Sequence, residues 1–192
     1  MEHLIKVSTF EELYNWLKSN YKSSAYIWVN AKRGKPNGKE FSYIDAVYCA
    51  LCFGWIDSTC KNIDGVTCQK LSPHSKNSHW TYLNIARCKY LIKQGLMTDD
   101  GLKAMPDDYD KFVVSEDILD RLQKDNDVWK HFNGFPILYQ RIRIDNIEWA
   151  RDSKNSWSKS KNDAFENRLN RFIEMTKQNK MYGEWNDYGR LE

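Results

Sequence analysis

Cys49-Ala50-Leu51-Cys52 has the C-x-x-C spacing that metal sites and redox enzymes use. A structural zinc cage needs four ligands, and the nearest other thiols are Cys60 and Cys68. With Asp64-Gly65 as a two-residue turn between them, Cys60 faces Gln69 and Cys68 faces Lys61. Strand alternation then sends the two sulfurs to opposite faces, so one cage holding all four is not expected. A thioredoxin-like site wants a strand before the motif, whereas a polar loop precedes Cys49. These cysteines are expected to be small core residues, with no metal and no cofactor.

A second group is Asp57, Asp64, His74 and His79, which the hairpin can gather at one end. His74 has the residue type for acid or base work, with Asp57 to orient it. The plainer alternatives are that Asp64 serves its turn, Asp57 bonds backbone, and His79 starts a helix. Trp28, Trp55 and Trp80 form a third group. They either wall a pocket with Asp57 and His74 as its polar groups or fill the core between sheet and helices. Finally Arg141, Arg143, Arg151, Lys154, Lys159 and Lys161, with Trp149 and Trp157 interleaved, have the make-up of a stacking surface for nucleic acid. Asp145, Glu148 and Asp152 break that run, as in an ordinary solvated face. Neither a G-x-x-x-x-G-K phosphate loop nor a G-x-S-x-G elbow occurs.

Elements must hold these groups in place. Ser8 with Glu11 reads as a capping box opening a helix through Phe10, Leu13, Trp16 and Leu17. Tyr26 to Val29 reads as a strand, followed by a loop over Lys32 to Lys39. Ser42 and Asp45 cap a second helix with Ile44, Val47, Tyr48, Leu51 and Cys52 inward, and Gly54 stands where an αL cap is wanted. Trp55 to Asn62 and Val66 to Leu71 are strands joined at Asp64-Gly65, a type I′ hairpin signal. The remainder is helical. Ser78 or Thr81 starts a helix closed by Gly95, Thr98 a short one, and Ser115 another through Leu122. Pro136 leads one through Ile147, and Ser160 precedes a last one with Phe165, Leu169, Phe172 and Ile173. Arg151 to Lys161 reads as a surface loop.

The 192 residues fall within the usual range for one domain, here 1–96 as an α+β part and 97–192 as a helical part. Hydrophobic residues at 41% supply a core, and charged residues at 29% are mixed in sign. The net charge of +3 is mild and the pI is near 8.5. Nucleic-acid domains usually exceed a pI of about 9, so that partner is possible without being favoured. No apolar run approaches the ~20 residues of a membrane helix. The start lacks a basic n-region and an apolar h-region, and five cysteines make an odd count. Both point to a cytoplasmic protein with free thiols.

Cys52-Phe53-Gly54-Trp55-Ile56-Asp57, set directly after a helix, resembles the central signature of the YdeI/OmdA-like family, labelled bacteriocin-protection or OmpD-associated proteins. Leu71-Ser72-Pro73 followed by Ser78-His79-Trp80-Thr81 and Asn84 is similar to that family's next steps, as are Gly95-Leu96-Met97 and Gly101-Leu102. The resemblance runs from Tyr26 to Leu102, about half the chain, and is only general over Asn167 to Ile173. It implies a bacterial cytosolic protein tied to stress or bacteriocin tolerance, without an assigned biochemical activity. His74 stands where the family commonly carries arginine, so an anion contact there would require a protonated imidazole.

The expected fold is therefore α+β: a small three-stranded antiparallel sheet with N-terminal helices and a mainly helical C-terminal half. The expected function is non-enzymatic binding of a small molecule or protein. The candidate ligand-binding residues are Trp55, Asp57, His74, Ser78, Trp80 and Asn84. The alternatives are an enzyme using Asp57 and His74, and a nucleic-acid-binding protein.

Overall fold

A computed structural model of the chain describes residues 4–38, 40–76, 78–151 and 161–191. In chain order they form β1 (Leu4–Ile5), α1 (Phe10–Asn20), β2 (Ile27–Val29), α2 (Tyr43–Cys52), β3 (Trp55–Ile63) and β4 (Val66–Pro73). Helices follow: α3 (Tyr82–Lys93), α4 (Asp99–Ala104), α5 (Glu116–Gln123), α6 (Asn126–Gly134), α7 (Ile137–Trp149) and α8 (Lys161–Lys177). The class is α+β. The chain packs as two units, the first reaching Trp80 and resuming over Asn84–Tyr109, the second taking Thr81–Leu83 and Asp110–Arg190.

In the first unit the strands form one four-stranded sheet in the order β1-β2-β4-β3. β4 is antiparallel to both β2 and β3, the latter pairing being the hairpin that the sequence predicts. The fourth strand corrects the expected three-stranded antiparallel sheet: β1 joins β2 in parallel, making the sheet mixed. A two-residue strand has no periodicity to read. Its pairing is extended by a side chain instead, because the Asn30 amide accepts from Val7 N–H at 2.7 Å and donates to Val7 C=O at 2.8 Å.

The hairpin has the predicted turn. Asp64 and Gly65 have φ of 49° and 80°, as type I′ geometry requires. The register also agrees, with Cys60 opposite Gln69 and Lys61 opposite Cys68. Between Asp57 and Cys60 the register shifts, and β3 carries one residue more than β4. The buried Gln69 amide donates to Thr59 C=O at 3.1 Å, supplying at the bulge a hydrogen bond that the ladder omits.

α2 is the centre of this unit. Ser42 and Asp45 complete the capping box, and every residue from Ala46 to Cys52 is buried. A helix apolar all round must be enclosed, and Leu13 and Leu17 of α1, Ile27, Val29, Trp55, Leu71 and Leu91 pack with it. At α1 the cap lies one residue beyond the predicted place. Thr9 Oγ1 accepts from Glu12 N–H at 3.1 Å, and Ser8 N–H donates to the Glu12 carboxylate at 2.7 Å.

The second unit is helical, with Ile118, Leu122, Val128, Phe132, Tyr139, Ile144, Phe165, Leu169 and Phe172 as its core. Its α6 has no counterpart in the sequence reading, since the helix fully buries only Val128 and Phe132 in that core, with Trp129 half-buried beside them. The Asp125 carboxylate caps it, accepting from Asp127 and Val128 N–H at 3.0 and 3.3 Å. Ser115 precedes α5 as predicted, but its hydroxyl bonds Glu148 and caps nothing. Ser160 lies outside the described residues.

Candidate functional site

The site begins where α2 ends. Gly54 takes φ +70°, which closes α2 and turns the chain into β3. Its carbonyl accepts the His74 N–H at 2.9 Å, so the segment leaving β4 is tied to the same corner. α4 docks there too. Cys52 C=O accepts from both Thr98 N–H, at 3.1 Å, and Thr98 Oγ1, at 2.6 Å, while Thr98 Oγ1 caps Gly101 N–H at 3.1 Å. The approach needs glycine, because a Cβ on Gly101 would lie 2.3 Å from Cys52 O.

This docking leaves an open cleft of about 430 Å³. His74, Lys76 and Trp80 line one side; Asp100, Lys103 and Met105 line the other. The His74 and Trp80 rings are stacked, with centroids 4.2 Å apart and planes at 17°. Trp80 is half-buried against the core, so one part of its ring is anchored and another is open to the cleft. Ser75 C=O holds the turn beneath them, accepting from His74 Nδ1 at 3.0 Å and from Ser78 N–H at 3.0 Å. A carbonyl only accepts, so the proton lies on Nδ1 and Nε2 is the acceptor of the neutral ring.

Charge in the cleft is mainly positive. Asp100 is already engaged by the Tyr21 hydroxyl and by Lys22 Nζ at 3.1 Å, contacts that hold its carboxyl below the usual range. Lys76 and Lys103 are exposed at the rim. Burial, with His79 adding a smaller effect, lowers the His74 pKa from its ordinary 6.5. The imidazole is thus neutral near pH 7, and protonation favours the unfolded chain. Stability held above pH 6.5 is expected to be lost as pH falls below that value. Melting curves between pH 5 and 7.5 should therefore show His74→Asn less sensitive to acid than the parent; equal slopes would contradict the burial of His74.

The predicted site residues separate. His74 and Trp80 come together, with Ser78 closing the turn between them. Trp55 is 1% exposed and belongs to the core, the second of the two readings of its ring. Trp28 is buried beneath Lys61, whose Nζ lies 4.4 Å from the ring centroid. Asp57 does not orient His74. Its carboxylate accepts from the Tyr43 hydroxyl at 2.8 Å and from Arg33 at 3.2 Å. Burial and that carboxylate raise the Tyr43 pKa. Asn84 is buried, and its Oδ1 accepts from buried Arg87 at 2.8 Å. Lys76, Asp100, Lys103 and Met105 were not among the predicted residues. Asp99 and Asp100 read only as first-turn acids, and a cleft wall leaves no pattern along one helix.

The cysteines of the C-x-x-C pair are buried, and desolvation raises both thiol pKa values, that of Cys52 to about 12. A thiol held protonated is a poor nucleophile and a poor ligand. Cys60 is exposed and Cys68 buried, so the hairpin does separate them. Among the described residues, no three or more His, Cys, Asp or Glu side chains group as metal ligands. Of the predicted basic stretch, Arg141 lies against the Tyr82 and Phe112 rings, and Arg151 pairs with Glu148 and Asp117. Lys154, Trp157 and Lys159 lie outside the described residues. Among those described, no helix is long and apolar enough to cross a membrane.

Residues 5–104, just over half of the chain, match the family described as "Domain of unknown function (DUF8412)", and the chain belongs to that family. The match spans the sheet except Leu4 and nearly all of both cleft walls, ending with α4. No curated protein and no solved structure matches the chain.

Proposed function

We propose that this DUF8412 member is a non-enzymatic binding protein that takes a small, planar, anionic molecule in the His74–Trp80 cleft. The stacked pair carries the reading: two parallel rings at 4.2 Å, partly open, offer a flat apolar face to a planar ligand. Lys76 and Lys103 at the rim suit an acidic group on that ligand. The resemblance to YdeI/OmdA-like proteins is consistent with such a role, as part of stress or bacteriocin tolerance in the cytoplasm. The enzyme alternative lacks its orienting partner, because Asp57 is bound to Tyr43 and Arg33.

A thermal-shift screen against aromatic carboxylates and sulfonates tests the proposal. A ligand that binds only the folded chain stabilises it by about 2.7 kcal/mol at a hundred times its dissociation constant. The expected result is a shift from one ligand class that is lost in Trp80→Ala and reduced in the Lys76→Gln/Lys103→Gln pair. Shifts that survive Trp80→Ala, or none across the panel, would reject the cleft as the site.

A further inference from the structure

A separate pocket of about 320 Å³ lies in the second unit, between α7, α8 and the segment at Tyr182-Gly183. Among the described residues, the charged ones lining it are three arginines: Arg143 on α7, and Arg168 and Arg171 on α8. Spacing explains the convergence. Arg168 and Arg171 are i and i+3, as are Arg143 and Asn146, so each pair shares a face of its helix. Among the described residues, none of the three makes an ion pair.

Their positions are held by other means. Arg168 donates to Asn146 C=O at 2.6 Å and lies over the Trp149 ring. Arg143 and Arg171 each place a guanidinium 4.8 Å from the centroid of the Tyr182 ring. The two charges are thus within twice that distance of each other, less than about a Debye length in 0.1 M salt. Arg143 Nε is buried and has no hydrogen-bond partner among the described residues. Tyr182 N–H donates to Tyr139 Oη at 3.2 Å, which pins the segment that carries the ring. Gly183 then passes over Arg143 with φ +70°, and a Cβ there would come 3.1 Å from the guanidinium.

Like charges drawn together at a concave surface, with no carboxylate among the described residues that line it, are arranged for an anion. Guanidinium forks match phosphate oxygens in pairs, and three of them suit a dianion better than a single carboxylate. We propose that this pocket binds a small phosphorylated compound, with its phosphate among Arg143, Arg168 and Arg171. The volume lies at the small end of ligand sites, which favours a compact molecule over a polymer.

Titration calorimetry of the full chain with pyrophosphate and with inorganic phosphate, at constant ionic strength in chloride, tests this. One equivalent of pyrophosphate is expected to bind. Arg171 is exposed, so Arg171→Gln should fold normally and weaken binding by about tenfold or more, as expected for a lost charged hydrogen bond. Arg168→Gln/Arg171→Gln should abolish it, with the melting point of each variant measured alone as a check on folding. Absence of binding in the parent chain, or unchanged affinity in a folded double variant, would overturn the proposal. So would tighter binding of a single-stranded oligonucleotide, with an affinity falling steeply with salt, since the ligand would then be a polymer backbone.

Discussion

Replacing Gly101 by alanine is expected to destabilise the first unit by about 3 kcal/mol, the upper part of the range for overpacking a tight contact. The added methyl would lie 2.3 Å from Cys52 O and 2.8 Å from Cys52 C, both backbone atoms at the end of a buried helix. Neither can turn aside as a side-chain tip would. α4 must therefore move away from α2, stretching the two Thr98 hydrogen bonds to the Cys52 carbonyl. In a protein of this size, that loss lowers the melting point by about 6–12 °C. It should also weaken cleft binding, because α4 supplies Lys103. An unchanged melting point would mean that α4 is not docked on α2, and the cleft would lose its second wall.

The second large effect separates two tryptophans. Trp55→Ala is expected to cost about 3–5 kcal/mol, since a fully enclosed ring leaves a cavity that its neighbours cannot fill. Trp55 is 1% exposed and packed with the core around α2. Trp80 is only half-buried, so Trp80→Ala should cost less stability while removing the ring on which His74 stacks. Urea unfolding followed by circular dichroism measures the first, and ligand titration of the folded Trp80→Ala protein measures the second. If both variants were equally destabilised, Trp80 would be a core residue and the open ring face would have no basis.

Local signals read well wherever neighbours in sequence make the structure. Ser42 and Asp45 bond each other, and Asp64-Gly65 adopts the two positive φ values that a type I′ turn requires. Those contacts span at most a few residues, so their chemistry is visible in the chain. The hairpin register followed from the same turn, and with it the separation of Cys60 from Cys68. α6 and β1 were missed for the opposite reason: one fully buries two side chains in its core, and the other is a two-residue strand completed by the Asn30 side chain.

The candidate site was half legible. His74 and Trp80 stood out by residue type, and a short turn held by Ser75 brings them together. Their opposite wall comes from α4, whose Asp100 and Lys103 look in the sequence like helix-end charges. For Asp57 the sequence offered His74 or backbone as partners, and neither is its partner, because Arg33 and Tyr43 reach it from a loop and a helix that precede it in the chain.

By itself, then, the sequence determined the α+β class, the Ser42–Asp45 and Thr98 caps, the Asp64-Gly65 turn, the antiparallel hairpin and the inward face of α2. Each follows from hydrophobic period, backbone preference or a hydrogen bond across a short loop. Only tertiary structure decided which tryptophan is core and which lines a cleft, which base holds Asp57, and which arginines converge. Burial and charge pairing depend on surfaces brought together from distant parts of the chain, and no local pattern records which surfaces will meet.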